Sequence, residues 1–176
     1  MRSLNKSNGF SLIELLIVVV VMMIVAAIAI PNLLSSRRSA NEASALKSVR
    51  TMSEAEAAYR ATLGGQNYGT AAQLYTSHLI DNSVAAANNL DVGGNPARNT
   101  PKSGYRFRIQ VTAFVPGTGV ASTYVISAIP VSSSGFTQTG TKRICLTDNG
   151  LLKSSTQNLS THYTRVQCGF ANAFIP

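Results

Sequence analysis

The chain has 176 residues, 45% of them apolar, and its 15 Lys and Arg outnumber 7 Asp and Glu to give a formal charge of +8. That length accommodates one domain with a proper core plus an additional segment, and the apolar share is too high for a disordered chain. Carboxylates this sparse, and two isolated histidines (His78 and His162), leave no Ser/His/Asp or paired-carboxylate arrangement on which to base an enzyme.

The chain opens on a short basic leader carrying Arg2 and Lys6 and reaching Gly9. From Phe10 to Ile30 run 21 residues that are apolar apart from Ser11 and one carboxylate, Glu14. As a helix this run spans about 31 Å, which matches a bilayer hydrocarbon core of roughly 30 Å. An acidic side chain costs roughly 2.5–3.5 kcal/mol at the centre of a membrane helix, so Glu14 is a functional candidate that needs a cationic partner. The combination predicts a cut between Gly9 and Phe10, which would place a new amino terminus at the head of the apolar helix. The rival is an ordinary secretory signal cut after Ala27-Ile28-Ala29. Its small-residue site fits, but its apolar region is long and gives Glu14 no purpose.

Pro31 lacks an amide proton and crowds the carbonyl of Ala27, so a kink or local loosening is expected there. The helix need not stop: Ala40, Ala43, Leu46, Val49, Met52, Ala55, Tyr59 and Leu63 follow at spacings of three and four, an apolar stripe on a polar helix. Gly64-Gly65 supplies a stop signal. Residues 10–63 thus read as one helix of about 80 Å, lipophilic over 10–30 and amphipathic beyond. By charge the leader and Arg37-Arg38 compete for the inner side, and the leader, closer to the span, favours an N-in, C-out orientation.

Residues 64–103 read mostly as connection, with a short helix within Thr70–Ile80 and a Gly-, Pro- and Asn-rich loop from Asn88 to Lys102. Period-two alternation begins at Tyr105–Val111, and further strands are expected at Thr123–Ile129, Arg143–Thr147 and Leu151–Lys153. Pro116–Gly119 and the hairpin signal Asp148-Asn149-Gly150 turn the chain. The sheet region is thus 104–153, and 154–176 shows no clear period. The fold class is α+β: a long helix packed on an antiparallel sheet of three or four strands.

Cys145 and Cys168 enclose 22 residues. An even count in an exported chain reads as one disulfide, with two buried thiols as the alternative. No Cys-x-x-Cys or paired-His spacing accompanies them, so no metal is expected, and no other cofactor either. The six tyrosines read as core or helix–sheet contacts, His78 as a surface or capping residue, and His162 as exposed. Basic residues cluster weakly at Arg37-Arg38, Arg106/Arg108 and Lys142-Arg143. Such a surface favours solubility and is compatible with DNA or surface polyanions as partners.

The run GFSLIELLIVVVVMMIVAAIAIPNLL resembles, almost letter for letter, the cleavage-and-methylation signature of type IV prepilins. The resemblance implies that a prepilin peptidase cuts after Gly9 and that Phe10 becomes the N-methylated mature terminus. It makes Glu14 the carboxylate that pairs with the Phe10 ammonium of a neighbouring subunit, and Pro31 the site where the helix bends or loosens in the fibre. It places Cys145 and Cys168 at the family's C-terminal disulfide. The nine-residue leader and the Phe start resemble the type IVa group. The resemblance implies an inner-membrane precursor that joins other pilin subunits, with the help of an assembly machinery, in an extracellular fibre for adhesion, twitching motility or DNA uptake. The alternatives within the resemblance are a secretion-system pseudopilin or a minor, priming pilin. Major pseudopilins usually carry an acidic calcium loop, whereas here Asp148 is the only acidic residue after Asp91.

Overall fold

The computed structural model describes residues 10–87, 100–156 and 160–170. The chain divides into two compact units between Ser36 and Arg37. Helix α1 (Leu12–Thr62) supplies most of the first unit and the opening of the second, and Pro31 lies inside it without interrupting it. At that turn Asn32 Nδ2 donates to Ile28 O (3.1 Å), next to the carbonyl of Ala27 that proline leaves without its usual donor.

In the second unit α1 buries Ala45, Ser48, Val49, Met52, Ala55 and Glu56, with Leu46 and Tyr59 partly covered. The stripe read from sequence is therefore correct in its middle and wrong at its ends. Ala40, Ala43 and Leu63 are exposed. Alanine is as good a helix former on a wet face as on a dry one, so its spacing does not define a face. The two polar members of the true face, Ser48 and Glu56, interrupt the pattern that would have revealed it. The helix ends where Leu63 and Gly64 both donate to Tyr59 O (2.9 and 2.8 Å). A β-carbon on Gly64 would lie 2.2 Å from Asn67 O, so the residue is required for this turn.

Helix α2 (Ala71–Thr76) starts in a capping box between Thr70 and Gln73. Helix α3 (Asn82–Ala86) was not expected; Asp81 caps it, with Oδ1 accepting the Val84 N–H at 2.8 Å. Most of the loop expected over Asn88–Lys102 lies outside the described residues.

The sheet is a four-stranded antiparallel meander, β1 (Tyr105–Thr112), β2 (Thr123–Pro130), β3 (Arg143–Thr147) and β4 (Leu152–Ser155), in that spatial order. Register follows from alternation. Tyr105, Phe107 and Ile109 join Tyr124, Ile126, Ala128, Ile144 and Leu146 in one core with the buried stripe of α1. The opposite face carries Arg106, Arg108, Ser127, Arg143, Cys145 and Lys153. Pro116–Gly119 turns the chain beneath a bridge between Val115 and Val120. The β3–β4 hairpin turns at Gly150 (φ 72°), a left-handed conformation that glycine adopts freely. Strand β4 starts one residue later than expected and continues to Ser155. The tail then forms a short helix, α4 (Arg165–Phe170), that the sequence pattern did not reveal.

Candidate assembly and processing site

Glu14 lies in the first turn of α1, where Leu12 is the first helical residue. The Ser11 N–H donates to Glu14 Oε2 at 3.0 Å, the reach-back of an acidic side chain that satisfies a donor the helix leaves open. An anion here also complements the positive end of the helix dipole. Phe10 is 83% exposed. Gly9 lies outside the described residues. Every Leu, Ile, Val and Met from Leu12 to Leu33 is exposed, and α1 is long and apolar enough over this stretch to cross a membrane. Its apolar surface therefore has no partner among the described residues of its own chain.

A second carboxylate, Glu56, escaped sequence reasoning. It is fully buried in the core under α1, where Oε2 accepts the Gly69 N–H (2.8 Å) and Oε1 has no partner. Burial pushes its pKa up to about 8, against the opposing pull of the Gly69 hydrogen bond. A signal was available: Glu56 is four residues beyond Met52 and next to Ala55, on the apolar stripe itself. Its neighbours fix the chain after α1. Tyr68 N–H donates to Ser122 Oγ (3.1 Å), Ser122 Oγ donates to Thr112 O (2.9 Å), and the Tyr68 and Tyr124 rings meet edge to face at 4.6 Å.

Cys145 and Cys168 form a disulfide that ties α4 to β3. With Val125 and Tyr163 they make a small second core on the outer face of the sheet. Around it the Arg143 guanidinium stacks on the Tyr163 ring at 3.8 Å and donates to Thr161 O (3.2 Å), and Lys153 Nζ donates to Gly169 O (2.6 Å). Asp148, read as a turn residue, also accepts two hydrogen bonds from Arg165 (3.0 and 3.1 Å).

His162 is not the exposed residue expected. It is partly buried against Ser127, with Oγ to Nδ1 at 3.1 Å. Burial, with smaller contributions from Arg108 and Arg106, pushes its pKa down to about 4. His78 is exposed, with left-handed backbone (φ 57°) at the end of α2. Tyr105, Tyr124 and Tyr163 are buried, and Tyr59, Tyr68 and Tyr75 pack against the main core, as expected of structural tyrosines.

No curated protein and no solved structure matches the chain. Residues 4–30 match the family model of the prokaryotic N-terminal methylation motif. That motif implies processing by a prepilin peptidase and assembly with other pilins of a pilus or secretion system, and with the apolar helix it fits a membrane-anchored precursor. The chain thus carries the type IV prepilin signature on an α+β fold consistent with that of pilins.

Proposed function

We propose that this chain is a structural subunit of a type IV pilus, a filament built by bundling the apolar halves of α1. The observation that carries the reading is the conjunction at the N-terminus. A matched methylation motif covers the start of a membrane-length helix whose apolar side chains lie exposed, with a single carboxylate in its first turn. In this account the peptidase cuts between Gly9 and Phe10, Phe10 is N-methylated, and the apolar helix anchors the precursor in the inner membrane before entering the fibre. Glu14 caps its own helix through Ser11, which leaves its negative charge unneutralised. The Phe10 ammonium of a neighbouring subunit supplies the counter-charge, and methylation preserves it. Burying such a pair adds little stability but selects register, because a misaligned neighbour leaves a lone charge in an apolar bundle. Pro31 is the point where the helix loosens on packing.

A fibre is favoured over a pseudopilus by two features. The C-terminal region is closed by a disulfide. Its single carboxylate, Asp148, is engaged by Arg165 and makes a poor start for a calcium loop. Adhesion, twitching motility and DNA uptake are the activities such a fibre serves. The test combines N-terminal mass spectrometry with electron microscopy of cells labelled for this chain. A methyl-Phe10 terminus and labelled surface fibres, lost on deletion while secretion continues, are expected. A secretion defect without fibres would assign the chain to a pseudopilus.

A further inference from the structure

The outer face of the sheet carries four cations, Arg106 and Arg108 on β1, Arg143 on β3 and Lys153 on β4. Two of them have work within the chain, Arg143 on Thr161 and Tyr163, and Lys153 on Gly169. Arg106 and Arg108 pair with no carboxylate among the described residues. The carboxylates among the described residues of the second unit are engaged elsewhere or lie off this face: Glu42 with Lys142, Asp81 with Lys102, Asp148 with Arg165, Glu56 in the core under α1, and Glu54 exposed on α1.

Unsatisfied polar atoms concentrate at the same place. Seven buried side-chain nitrogen or oxygen atoms of the described residues lack a hydrogen-bond partner, and five belong to this face: Nε of Arg106, Arg108 and Arg143, His162 Nε2 and Tyr163 Oη. Buried polar groups are nearly always paired, so such a cluster calls for an explanation. Each of the five can donate a proton, and the three guanidiniums can only donate.

We propose that Arg106, Arg108 and His162 form a binding site for a tetrahedral oxyanion, a phosphate or sulfate, either free or carried as an ester group on a larger molecule. Arg106 and Arg108 are two residues apart on one face of β1, about 7 Å at strand spacing. Arg108 pairs across the sheet with Ser127, and Ser127 holds His162. Ser127 Oγ also accepts the Tyr163 N–H (2.9 Å), which holds the hydroxyl beside the His162 ring. His162 stays neutral at neutral pH, within reach of the charge of Arg108 and Arg106. Both arginine side chains are partly exposed, and the outer ends of their guanidiniums would meet an oxyanion with charge-assisted hydrogen bonds. The inference does not depend on the fibre reading.

The test uses the full chain in a nonionic detergent, titrated at constant ionic strength with inorganic phosphate, inorganic sulfate and, as control, chloride. The His162 ring signals are followed by NMR. A saturable shift with phosphate or sulfate, accompanied by a rise in the His162 pKa, is expected. Arg106→Gln and Arg108→Gln should each weaken binding roughly tenfold or more. Arg108→Lys, which keeps the charge but not the fork, should lose most of that affinity. Lys47→Gln, on the exposed side of α1, should leave it unchanged. A sulfated oligosaccharide that binds more tightly per sulfate than the free ion identifies an ester-bearing ligand, and equal affinity identifies the free ion. A non-saturable response, one shared with chloride, or one unaltered by Arg106→Gln and Arg108→Gln overturns the proposal.

Discussion

The stretch Leu12–Leu33 and the unit from Arg37 onward dispose of the same kind of side chain in opposite ways. In the first, every Leu, Ile, Val and Met is exposed. In the second, Val49, Met52, Leu74, Phe107, Ile126 and Ile144 are all but inaccessible. Each such side chain gains roughly 1.5–3 kcal/mol on burial. The second unit collects that energy within itself, whereas the first has it still to collect, from lipid or from neighbouring helices. The difference separates the segment that assembles from the domain that folds.

The largest effect is expected from placing a charge in the exposed apolar run. Val20→Asp should weaken membrane retention, by roughly 2.5–3.5 kcal/mol, and leave the unfolding of the second unit unchanged. Membrane fractionation beside circular dichroism of the same variant checks both halves, and a lowered melting temperature would show that the two regions are not independent. Removing the disulfide should do the reverse. Cys145→Ser with Cys168→Ser should destabilise the second unit by about 3 kcal/mol on the loop-entropy estimate, measured by denaturant unfolding, with membrane anchoring intact.

The two buried titratable groups sharpen the comparison further, because both lie in the second unit and oppose each other. The folded pKa of Glu56 is raised to about 8 from 4.5, so the folded chain holds a proton that the unfolded chain releases. Stability from this source falls as pH rises from about 4.5 to about 8, by up to about 1.4 kcal/mol per unit. The folded pKa of His162 is lowered to about 4 from 6.5, so the unfolded chain binds the extra proton. Stability from this source falls as pH drops from about 6.5 to about 4. Glu56→Gln should therefore remove the decline between pH 6.5 and 8 and expose the acid limb of His162. His162→Gln should remove the opposing contribution, so that the decline runs over the whole range from about pH 4.5 to about pH 8. Melting temperatures across this pH range for the wild type and both variants read the outcome, and parallel curves would contradict the assignment. The smallest effect is expected at the Asp148–Arg165 pair, where Arg165 is about half exposed. Asp148→Asn should cost less than about 1 kcal/mol.

Much of this architecture was legible in the chain. The lipophilic run, the Gly64-Gly65 stop, the β-strand alternation from Tyr105 and the Asp148–Gly150 turn are local signals, and the structure follows them. What was not legible depends on distant contacts. The buried face of α1 could not be placed from its alanines, and the partner that satisfies Glu56 on that face, the Gly69 N–H, comes from a return of the chain that the helix pattern does not show. His162 reads as a surface histidine until the disulfide folds the tail over Ser127. Helix α3 had a cap in Asp81 but too few residues to show a period. At the N-terminus the opposite held: residues 4–30 were readable because their pattern answers to a bilayer and a peptidase, not to the rest of the chain.

On the proposed reading Glu14 serves assembly and not folding or anchoring. Its most direct test is Glu14→Ala expressed in place of the native chain, with the membrane fraction, the mature N-terminal mass and the fibres analysed from the same cells. A membrane-inserted subunit, cut after Gly9 and absent from fibres, is expected. Fibres of normal number and composition built from Glu14→Ala subunits would contradict it.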